Sequence, residues 1–491
     1  MKKILSILSI SFLLLSSCDK WLDVTAQTDI SSDMEFETEA GFRDALIGVY
    51  IQMTHKSNYG KDKTWYFMDL LCQPYKSLST SLAPTEANIQ ARNYTEILTR
   101  NLIDGMWKQS YVAIANINNE LKYLELNKST LNSINYSLIK GELLGLRAFL
   151  HFDLLRQFGY GNLANNRGLM DKLTIPYVVN YTKEYTDQLT YTQTIDLMLK
   201  DIDESLVLLK QVDPILGTHP MSYYSEVNVD GFYNNRQKRM NYYAVQALRA
   251  RVCLWEGSSQ MKAEALTAAK VVIDAVPSKF SWVSPAEVAI TEAERNLTFI
   301  QEHIFSLDVQ MLGSNSFATE VNSVFNSISN IFSAQTITSS NAAKLFENIA
   351  SDYRYTYVTR SEGSNVTPIK LYQTQNTTKP QYWNIVPIIK ISEMYYIAAE
   401  CDPANALEYL NTVRAQRGIT STLAPGVDIT AEIEKEYRKE FIAEGQLFYY
   451  FKRLGVVRIL APVTTPSTMN DKAYILPYPD KEIIYGNRVQ F

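Results

Sequence analysis

Several carboxylates are spaced so that they could act in pairs as the acid and the base of an enzyme. Glu393 and Glu400 lie seven residues apart, on one face of a predicted helix. A second predicted helix carries both signs of charge, at Arg438, Glu440, Glu444 and Arg453. Because these carboxylates alternate with basic residues and core aromatics, we predict that they form ion pairs between helices. The sequence therefore predicts no catalytic residue.

Other motifs for chemistry are weak. Gly159, Gly161 and Ala164 match a GxGxxA pattern, but they follow a predicted helix, whereas a dinucleotide-binding loop follows a strand. No GxSxG, P-loop or HExxH motif occurs, and the four histidines are isolated in sequence. His151 falls in an apolar helical stripe, which favours a hydrogen-bonded structural side chain. The spacing predicts no metal site and no cofactor.

One loop resembles a calcium site in part. Oxygen-bearing side chains alternate from Glu226 to Asp230, and Gly231 occupies the sixth position. The twelfth position is Gln237, which lacks the bidentate carboxylate of a calcium loop. A turn is therefore favoured, and calcium near Asp230 is the alternative.

Aromatic and planar polar side chains are better suited to binding. The chain has 32 Tyr and 19 Phe, and a tyrosine hydroxyl prefers a wet boundary to a dry core. A sugar ring offers an apolar face and an equator of hydroxyls, which an aromatic ring with polar neighbours can recognise. The loop residues that meet this need are Trp65, Tyr66, Tyr75, Tyr223, Tyr224, Tyr233, Asn234, Arg236, Trp282 and Trp383. Such aromatics also serve as plugs that hold loops down, or as contacts to a partner protein.

The first eighteen residues are typical of a secretory leader. Lys2 and Lys3 precede a mainly apolar run of twelve residues, 4–15, and Ser16 and Ser17 lead to Cys18. Small residues before a cysteine resemble the lipobox of bacterial lipoproteins, so we predict a signal peptide over 1–17, lipid attachment at Cys18 and a tether over 18–34. Three acyl chains would anchor the protein stably. An ordinary leader with a chance cysteine is the alternative.

The other cysteines predict no disulfide framework. Cys72, Cys253 and Cys401 are far apart and odd in number, and no CxxC metal knuckle occurs. Cys253 and Cys401 lie within apolar helical patterns, which favours buried, inert thiols.

These residues must be positioned by a largely helical chain. The 491 residues are 46% apolar and 20% charged, as in a globular protein with a large core, and a net charge of −5 argues against a nucleic-acid partner. Apolar residues recur at three- and four-residue steps, with Gly159 and Gly455 as stops and Asp402-Pro403 as a start signal. The predicted helices are 35–53, 106–126, 138–158, 191–210, 240–256, 261–275, 387–400, 404–416 and 429–453.

The helices are predicted to form pairs of the tetratricopeptide-like kind, although no clean 34-residue repeat occurs. Long irregular segments separate them, at 54–100, 211–238, 277–340 and 360–382, and segments of this length are usually functional or disordered. The predicted fold is mainly α, a helical-hairpin scaffold with long irregular loops and minor β structure.

Blocks along nearly the whole chain resemble the SusD/RagB family of outer-membrane nutrient-binding lipoproteins. The block at 141–176, GELLGLRAFLHFDLLRQFGYGNLANNRGLMDKLTIP, is similar to a family signature, and Trp107, Tyr111, Ile114 and Asn116 match a helix before it. Later blocks in the same order are ALRARVCLW, ISEMYYIAAEC, ALEYLNTVRAQRG, YRKEFIAEGQLFYYFKRLG and LPYPDKEI. Lys390 stands where an arginine often precedes the SExYYIAAE helix, and the connection at Asp402-Pro403 is short, so local packing there is expected to differ.

The resemblance implies one SusD-like unit over 35–491, with an N-terminal region of about 19–215 and a C-terminal region of about 300–491. It implies a lipid-anchored protein of the outer membrane, facing the cell exterior, that captures an oligosaccharide and passes it to a SusC-like TonB-dependent transporter without acting as an enzyme. A peptide-binding member of the same family is the alternative. A surface glycan hydrolase and a purely structural subunit are less favoured.

Overall fold

The computed structural model describes residues 32–81, 83–228, 230–310, 312, 337–372, 378–459 and 468–490. Cys18 and the tether up to residue 31 lie outside these ranges, so lipid attachment stays a prediction. None of the helices in the described ranges combines the length and the apolar character needed to cross a membrane.

Twelve helices of seven or more residues form the scaffold of the described chain. They are α1 (Glu39–Met53), α2 (Pro84–Gln90), α3 (Ile97–Leu126), α4 (Ser133–Phe158), α5 (Tyr191–Val212), α6 (Tyr242–Glu256), α7 (Ser259–Ile273), α8 (Ser339–Leu345), α9 (Ile391–Cys401), α10 (Ala406–Gln416), α11 (Ile429–Glu440) and α12 (Gln446–Leu454). Shorter helices are Ser32–Glu35, Phe67–Leu70, Met221–Tyr224, Pro285–Val288, Tyr353–Thr356, Asp471–Tyr474 and Asp480–Ile484. Turns of 3-10 helix occur at Lys128–Thr130, Arg167–Asp171, Pro214–Leu216, Arg236–Lys238, Glu292–Glu294, Ile300–Glu302 and Pro380–Tyr382.

Successive helices pack in series, which confirms the mainly α, tetratricopeptide-like scaffold. α3 packs on α4, α4 on α5, α5 on α6, α6 on α7, α7 on α9, and α9 on α10. Local signals set the ends: Thr190 and Gln193 form a capping box at the start of α5, and Ser258 caps α7. Every residue of α4 from Gly141 to Phe158 is buried, so α4 is the central helix of the core.

The β structure is minor, as predicted, and short. Strands β1 (His303–Asp308) and β5 (Ile385–Lys390) form an antiparallel pair in which Asp308 faces Ile385. Strands β2 (Ile337–Thr338), β3 (Thr359–Glu362) and β4 (Asn365–Pro368) form a second antiparallel sheet with β4 in the centre. The β1–β5 pair joins the long segments 277–302 and 378–384 to the helical scaffold.

The helix boundaries at 387–390 and 404–405 are wrong in the sequence prediction. Residues 387–390 belong to β5 rather than to a helix, because a short buried apolar run such as Pro387-Ile388-Ile389 fits both periods. The next helix begins at Ala406 with Asn405 as its N-cap, so Asp402-Pro403 forms a turn and not the first helical residues.

The predicted helix 429–453 is broken into α11 and α12. Ala443 and Gly445 both adopt left-handed backbone conformations, with φ of 60° and 70°. These conformations interrupt the helical hydrogen bonding between α11 and α12. A Cβ at position 445 would also stand 2.7 Å from the Thr64 carbonyl oxygen.

Gly159 ends α4 for a different reason from the one predicted. Its φ of −98° is ordinary, so it is not a left-handed cap. A Cβ at this position would stand 2.3 Å from the Tyr191 hydroxyl oxygen, so glycine is needed for the close approach of α5.

The predicted ion pairs are present, and all but the half-buried Arg453–Glu400 pair of those described here are buried. Arg251 Nε donates to Glu393 at 2.7 Å, and both terminal nitrogens of Arg453 donate to Glu400 at 2.6 Å. Arg417 bridges Glu302 and Glu440 across elements that are far apart in sequence. Lys390 also pairs with Glu440: its Nζ donates to Glu440 at 3.0 Å and to Glu444 at 2.7 Å.

The C-terminal segment closes on the first helices. The hydroxyl of Tyr94 donates to the Ala473 carbonyl at 2.6 Å, and the Leu476 N–H donates to the Gln157 carbonyl at 3.1 Å. The Tyr478 ring packs against Trp107 with the centroids 5.1 Å apart. The two ends of the described chain therefore share one core.

Candidate functional site

Most of the aromatic residues predicted to bind a ligand are core residues. Trp65 and Tyr75 have no exposed surface, and Tyr66, Tyr224 and Tyr233 are also buried. The Trp65 indole N–H donates to the Gly60 carbonyl at 2.8 Å, and the Tyr75 hydroxyl donates to Asp69. Burial raises the pKa of the Tyr75 hydroxyl, so it stays neutral. These side chains pack the loops against the core and expose no ring surface to a ligand. The prediction that they bind a ligand is therefore corrected.

Arg236 is likewise structural. Its Nε and Nη2 donate to the two carboxylate oxygens of Asp213, both at 2.9 Å, and its Nη1 donates to Glu142. Arg239 also donates to Glu142, at 2.7 Å. A guanidinium whose three nitrogens all donate to buried partners is not available to a sugar. The sequence could not show this, because the partner carboxylates lie on α4 and after α5.

Four predicted residues keep solvent-exposed surface: Tyr223, Asn234, Trp282 and Trp383. Tyr223 stacks on His219 with the ring centroids 4.1 Å apart. Asn234 lies in the turn of the calcium-like loop, where its Oδ1 accepts from Asn228 at 3.0 Å and Gly231 has a φ of 70°. Within the described part of the chain, no group of three or more His, Cys, Asp and Glu side chains is placed to hold a metal ion.

Ser281 and Tyr382, the residues directly before Trp282 and Trp383, lie at the two ends of one chain of hydrogen bonds. The N–H of Ser281 donates to the Gln301 carbonyl at 3.3 Å, and Gln301 Nε2 donates to Glu287 at 2.6 Å. The hydroxyl of Tyr382 donates to the other oxygen of Glu287 at 3.3 Å. We call the surface formed by Trp282, Glu287, Gln301, Tyr382 and Trp383 the tryptophan surface.

Glu287 is the charged centre of the tryptophan surface. Burial alone would raise its pKa, but hydrogen bonds from Ser284, Gln301 and Tyr382 lower it. The pKa of Tyr382 is raised by burial and by Glu287, so its hydroxyl stays a donor. The surface thus combines half-buried aromatic rings with a carboxylate, an amide and a hydroxyl, the groups that fit a sugar ring.

The backbone fixes both tryptophans. Asn384, directly after Trp383, has a φ of 60°, and its carbonyl accepts from the Val309 N–H at 2.7 Å. The Trp282 ring packs against Tyr395 with a centroid distance of 5.3 Å, and the Arg417 guanidinium lies 5.4 Å from its centre. One side of Trp282 is therefore held by the scaffold.

A second concave surface was missed by the sequence prediction. Two adjoining clefts of about 520 Å³ and 430 Å³ share Tyr160 and Asp471, and we call them the Tyr160 cleft. Asn162 and Asn166 line one part, and Arg100 lines the other. The signal was available, because Tyr160 is followed by three asparagines after the end of α4, but the groove itself needs the C-terminal segment that packs from the far end of the chain.

The remaining cysteines are free. Cys72 and Cys253 are buried and Cys401 is half-buried, so Cys401 is more exposed than predicted. Burial raises the pKa of each thiol to about 12, which keeps these groups unreactive at neutral pH.

Two family models match this chain. Residues 20–222 match a model described as SusD-like, starch-binding and associating with the outer membrane, and residues 326–474 match the SusD family model SusD_RagB. No curated protein matches the sequence.

Solved structures share the fold over nearly its full length. A SusD superfamily protein from Bacteroides thetaiotaomicron VPI-5482 aligns with a TM-score of 0.67 and 21% identity, covering 91% of this chain and 97% of its own. A protein from Bacteroides vulgatus ATCC 8482 that is described as sugar-binding aligns with a TM-score of 0.67 and 20% identity, covering 91% of this chain and 96% of its own. Surface glycan-binding protein A of Bacteroides thetaiotaomicron, solved with laminarihexaose, aligns with a TM-score of 0.65 and 17% identity, covering 92% of this chain and 99% of its own.

Proposed function

This chain belongs to the SusD/RagB family, and on that premise we propose that it is a lipid-anchored binding protein of the outer membrane that captures an oligosaccharide. It delivers the ligand to a SusC-like TonB-dependent transporter and breaks no bond. The names of the matching family model and of the glycan-bound structural neighbour support a carbohydrate as the ligand class.

The observation that carries the proposal is the placement of the tryptophans. Trp65, Trp107 and Trp255 are buried, whereas Trp282 and Trp383 keep exposed surface, and each directly follows a residue of the hydrogen-bond chain that runs through Glu287. Rings at the two ends of a polar strip suit an extended ligand with several apolar faces, as an oligosaccharide has. The tryptophan surface is therefore the proposed contact for glycan.

Binding needs no reaction at this surface. The sugar rings pack on the tryptophans, and their hydroxyls donate to the Glu287 carboxylate or accept from neighbouring amide groups. The carboxylate pairs that suggested acid and base catalysis are engaged in ion pairs with arginine and lysine. A binding protein is thus favoured over a hydrolase.

Isothermal titration of the mature protein with laminarihexaose and with malto-oligosaccharides tests the proposal. W383A and W282A are each expected to weaken binding about tenfold, since an aromatic contact contributes roughly 1–2 kcal/mol. Tyr485→Ala is the matched control, because Tyr485 is 80% exposed and lies in the C-terminal segment. Equal affinity for W383A, W282A and the wild type would remove the tryptophan surface from the proposal.

The Tyr160 cleft is the second place considered for the same ligand. Y160A is expected to leave affinity unchanged if glycan binds at the tryptophan surface. A loss confined to Y160A would move the binding site to the cleft while keeping the function.

Four further measurements test the rival functions, the lipid anchor and the partner. Binding of peptides but not of glycans would favour the peptide-binding alternative, and turnover of any glycan by the pure protein would favour a hydrolase. Cys18→Ala is expected to release the protein from the membrane fraction, and copurification with a transporter tests the partner. Absence of glycan and peptide binding, together with failure to copurify, would refute the proposal as a whole.

A further inference from the structure

A small polar cavity lies inside the scaffold, where α4, α6, α9, α11 and α12 meet. Its volume is about 30 Å³, enough for one water molecule or one monatomic ion. Three arginines line it, one each from α4, α6 and α12, namely Arg156, Arg251 and Arg453. Nothing in the proposed glycan-binding function uses this cavity.

Two donors at the cavity have no acceptor within the described residues. The Nη1 group of Arg251 and the indole Nε1–H of Trp255 are both buried, and neither makes a hydrogen bond to a described protein atom. Both side chains line the cavity. A buried donor without an acceptor costs about 1–3 kcal/mol, and more when it is charged, so two at one cavity indicate an acceptor bound between them.

The hydrogen-bonding groups around the cavity favour an anion over water, because both buried atoms there without a partner among the described residues are donors. Its wall carries three guanidinium groups and one carboxylate, Glu393. Glu393 already accepts from Nε and Nη2 of Arg251, and the other two arginines are paired with Asp153 and Glu400. A water molecule must also place its two hydrogens on acceptors, whereas a halide only accepts.

We propose that this cavity binds a single halide ion, with chloride as the natural occupant. The ion accepts from Arg251 Nη1 and from Trp255 Nε1, the two buried donors without a partner in the described part of the chain. A volume of about 30 Å³ suits a monatomic ion. Because five helices converge here, the bound ion stabilises the junction between the first and the last parts of the scaffold.

Crystals of the wild-type protein grown in sodium bromide test the site directly. An anomalous bromide peak within hydrogen-bond distance of Arg251 Nη1 and Trp255 Nε1 is the expected result. An ordered water at that place without an anomalous peak would overturn the proposal.

Thermal unfolding gives an independent test in solution. Chloride is expected to raise the Tm above that in sodium gluconate at equal ionic strength, by roughly 1–3 °C for a chain of this size near saturation. Trp255→Phe removes one donor but keeps a ring, and is expected to abolish the difference. Trp65→Phe is the control, because its indole N–H donates to the Gly60 carbonyl and the difference should persist. Equal Tm values of the wild type in both salts would contradict the inference.

Discussion

Acidification is expected to destabilise the protein through His151, a buried residue of the central helix α4. Its Nδ1–H donates to the Arg147 carbonyl at 2.9 Å, and its Nε2 accepts from the Val178 N–H at 3.0 Å. The second bond requires an unprotonated Nε2, so a proton there would face another N–H. The His151 ring also stacks on Tyr177 with the centroids 3.9 Å apart. The site therefore accepts only the neutral imidazole.

The size of the effect follows from the pKa difference between folded and unfolded chains. Burial, together with the nearby Arg147 guanidinium, lowers the pKa of His151 from 6.5 to about 3. The stability from a lowered pKa is present above the unfolded value and is lost as the pH falls toward the folded one. Between about pH 7.5 and about pH 5 the unfolded chain gains the proton and the folded chain does not. The cost is about 2 kcal/mol, since one pH unit corresponds to about 1.4 kcal/mol.

Urea unfolding at the two pH values measures this cost. His151→Gln is expected to lose less stability than the wild type on acidification, by about 2 kcal/mol. Leu150→Ala, a core substitution on the same helix, should lower stability by about 2–5 kcal/mol at both pH values alike. His303, whose pKa burial also lowers to about 3, should add a similar and independent loss.

Equal losses of stability for the His151→Gln variant and the wild type on acidification would refute this role of His151. An NMR titration in which the His151 ring of the folded protein takes up a proton near pH 6.5 would refute it as well.

Two other predictions use matched variants. Gly159→Ala is expected to lower the Tm through a clash of its Cβ with the Tyr191 hydroxyl, at a cost of about 1–3 kcal/mol, while Gly168→Ala, with open space around it, should change little. Arg417→Ala is expected to cost about 3–5 kcal/mol in chemical unfolding, because it leaves the buried Glu302 carboxylate without its cationic partner and removes one of the cations paired with Glu440, whereas the partly exposed Arg249→Ala should cost less than about 1 kcal/mol.

The scaffold was largely predictable from sequence because its signals are local. The three- and four-residue apolar period locates the interior of α3, α4, α5 and α6, although α3 begins nine residues earlier, at Ile97. Prediction failed where a short apolar run fits either a strand or a helix, as at β5, and where a left-handed residue interrupts a good pattern, as at Ala443.

The binding residues were less predictable because burial depends on contacts distant in sequence. Tyr233 and Trp383 have the same loop context, yet the Tyr233 hydroxyl donates to Asn135 on α4 at 2.7 Å, and Trp383 keeps exposed surface. Composition identifies residues capable of stacking on a sugar, but it does not show whether such a residue is buried in the core or exposed to a ligand. The Tyr160 cleft was missed for the same reason, since its walls come from both ends of the chain.

The closure of the C-terminal segment on the first helices bears on when the protein can fold during its synthesis. A solenoid whose repeats contact only their neighbours can fold progressively as it leaves the ribosome. Here Trp107 and Phe158 pack against Tyr478, which is made more than three hundred residues later. The nascent N-terminal half therefore presents an unfinished apolar surface until translation is nearly complete, and such long-range contacts form slowly. A chain stalled before this segment is expected to depend on holdase chaperones.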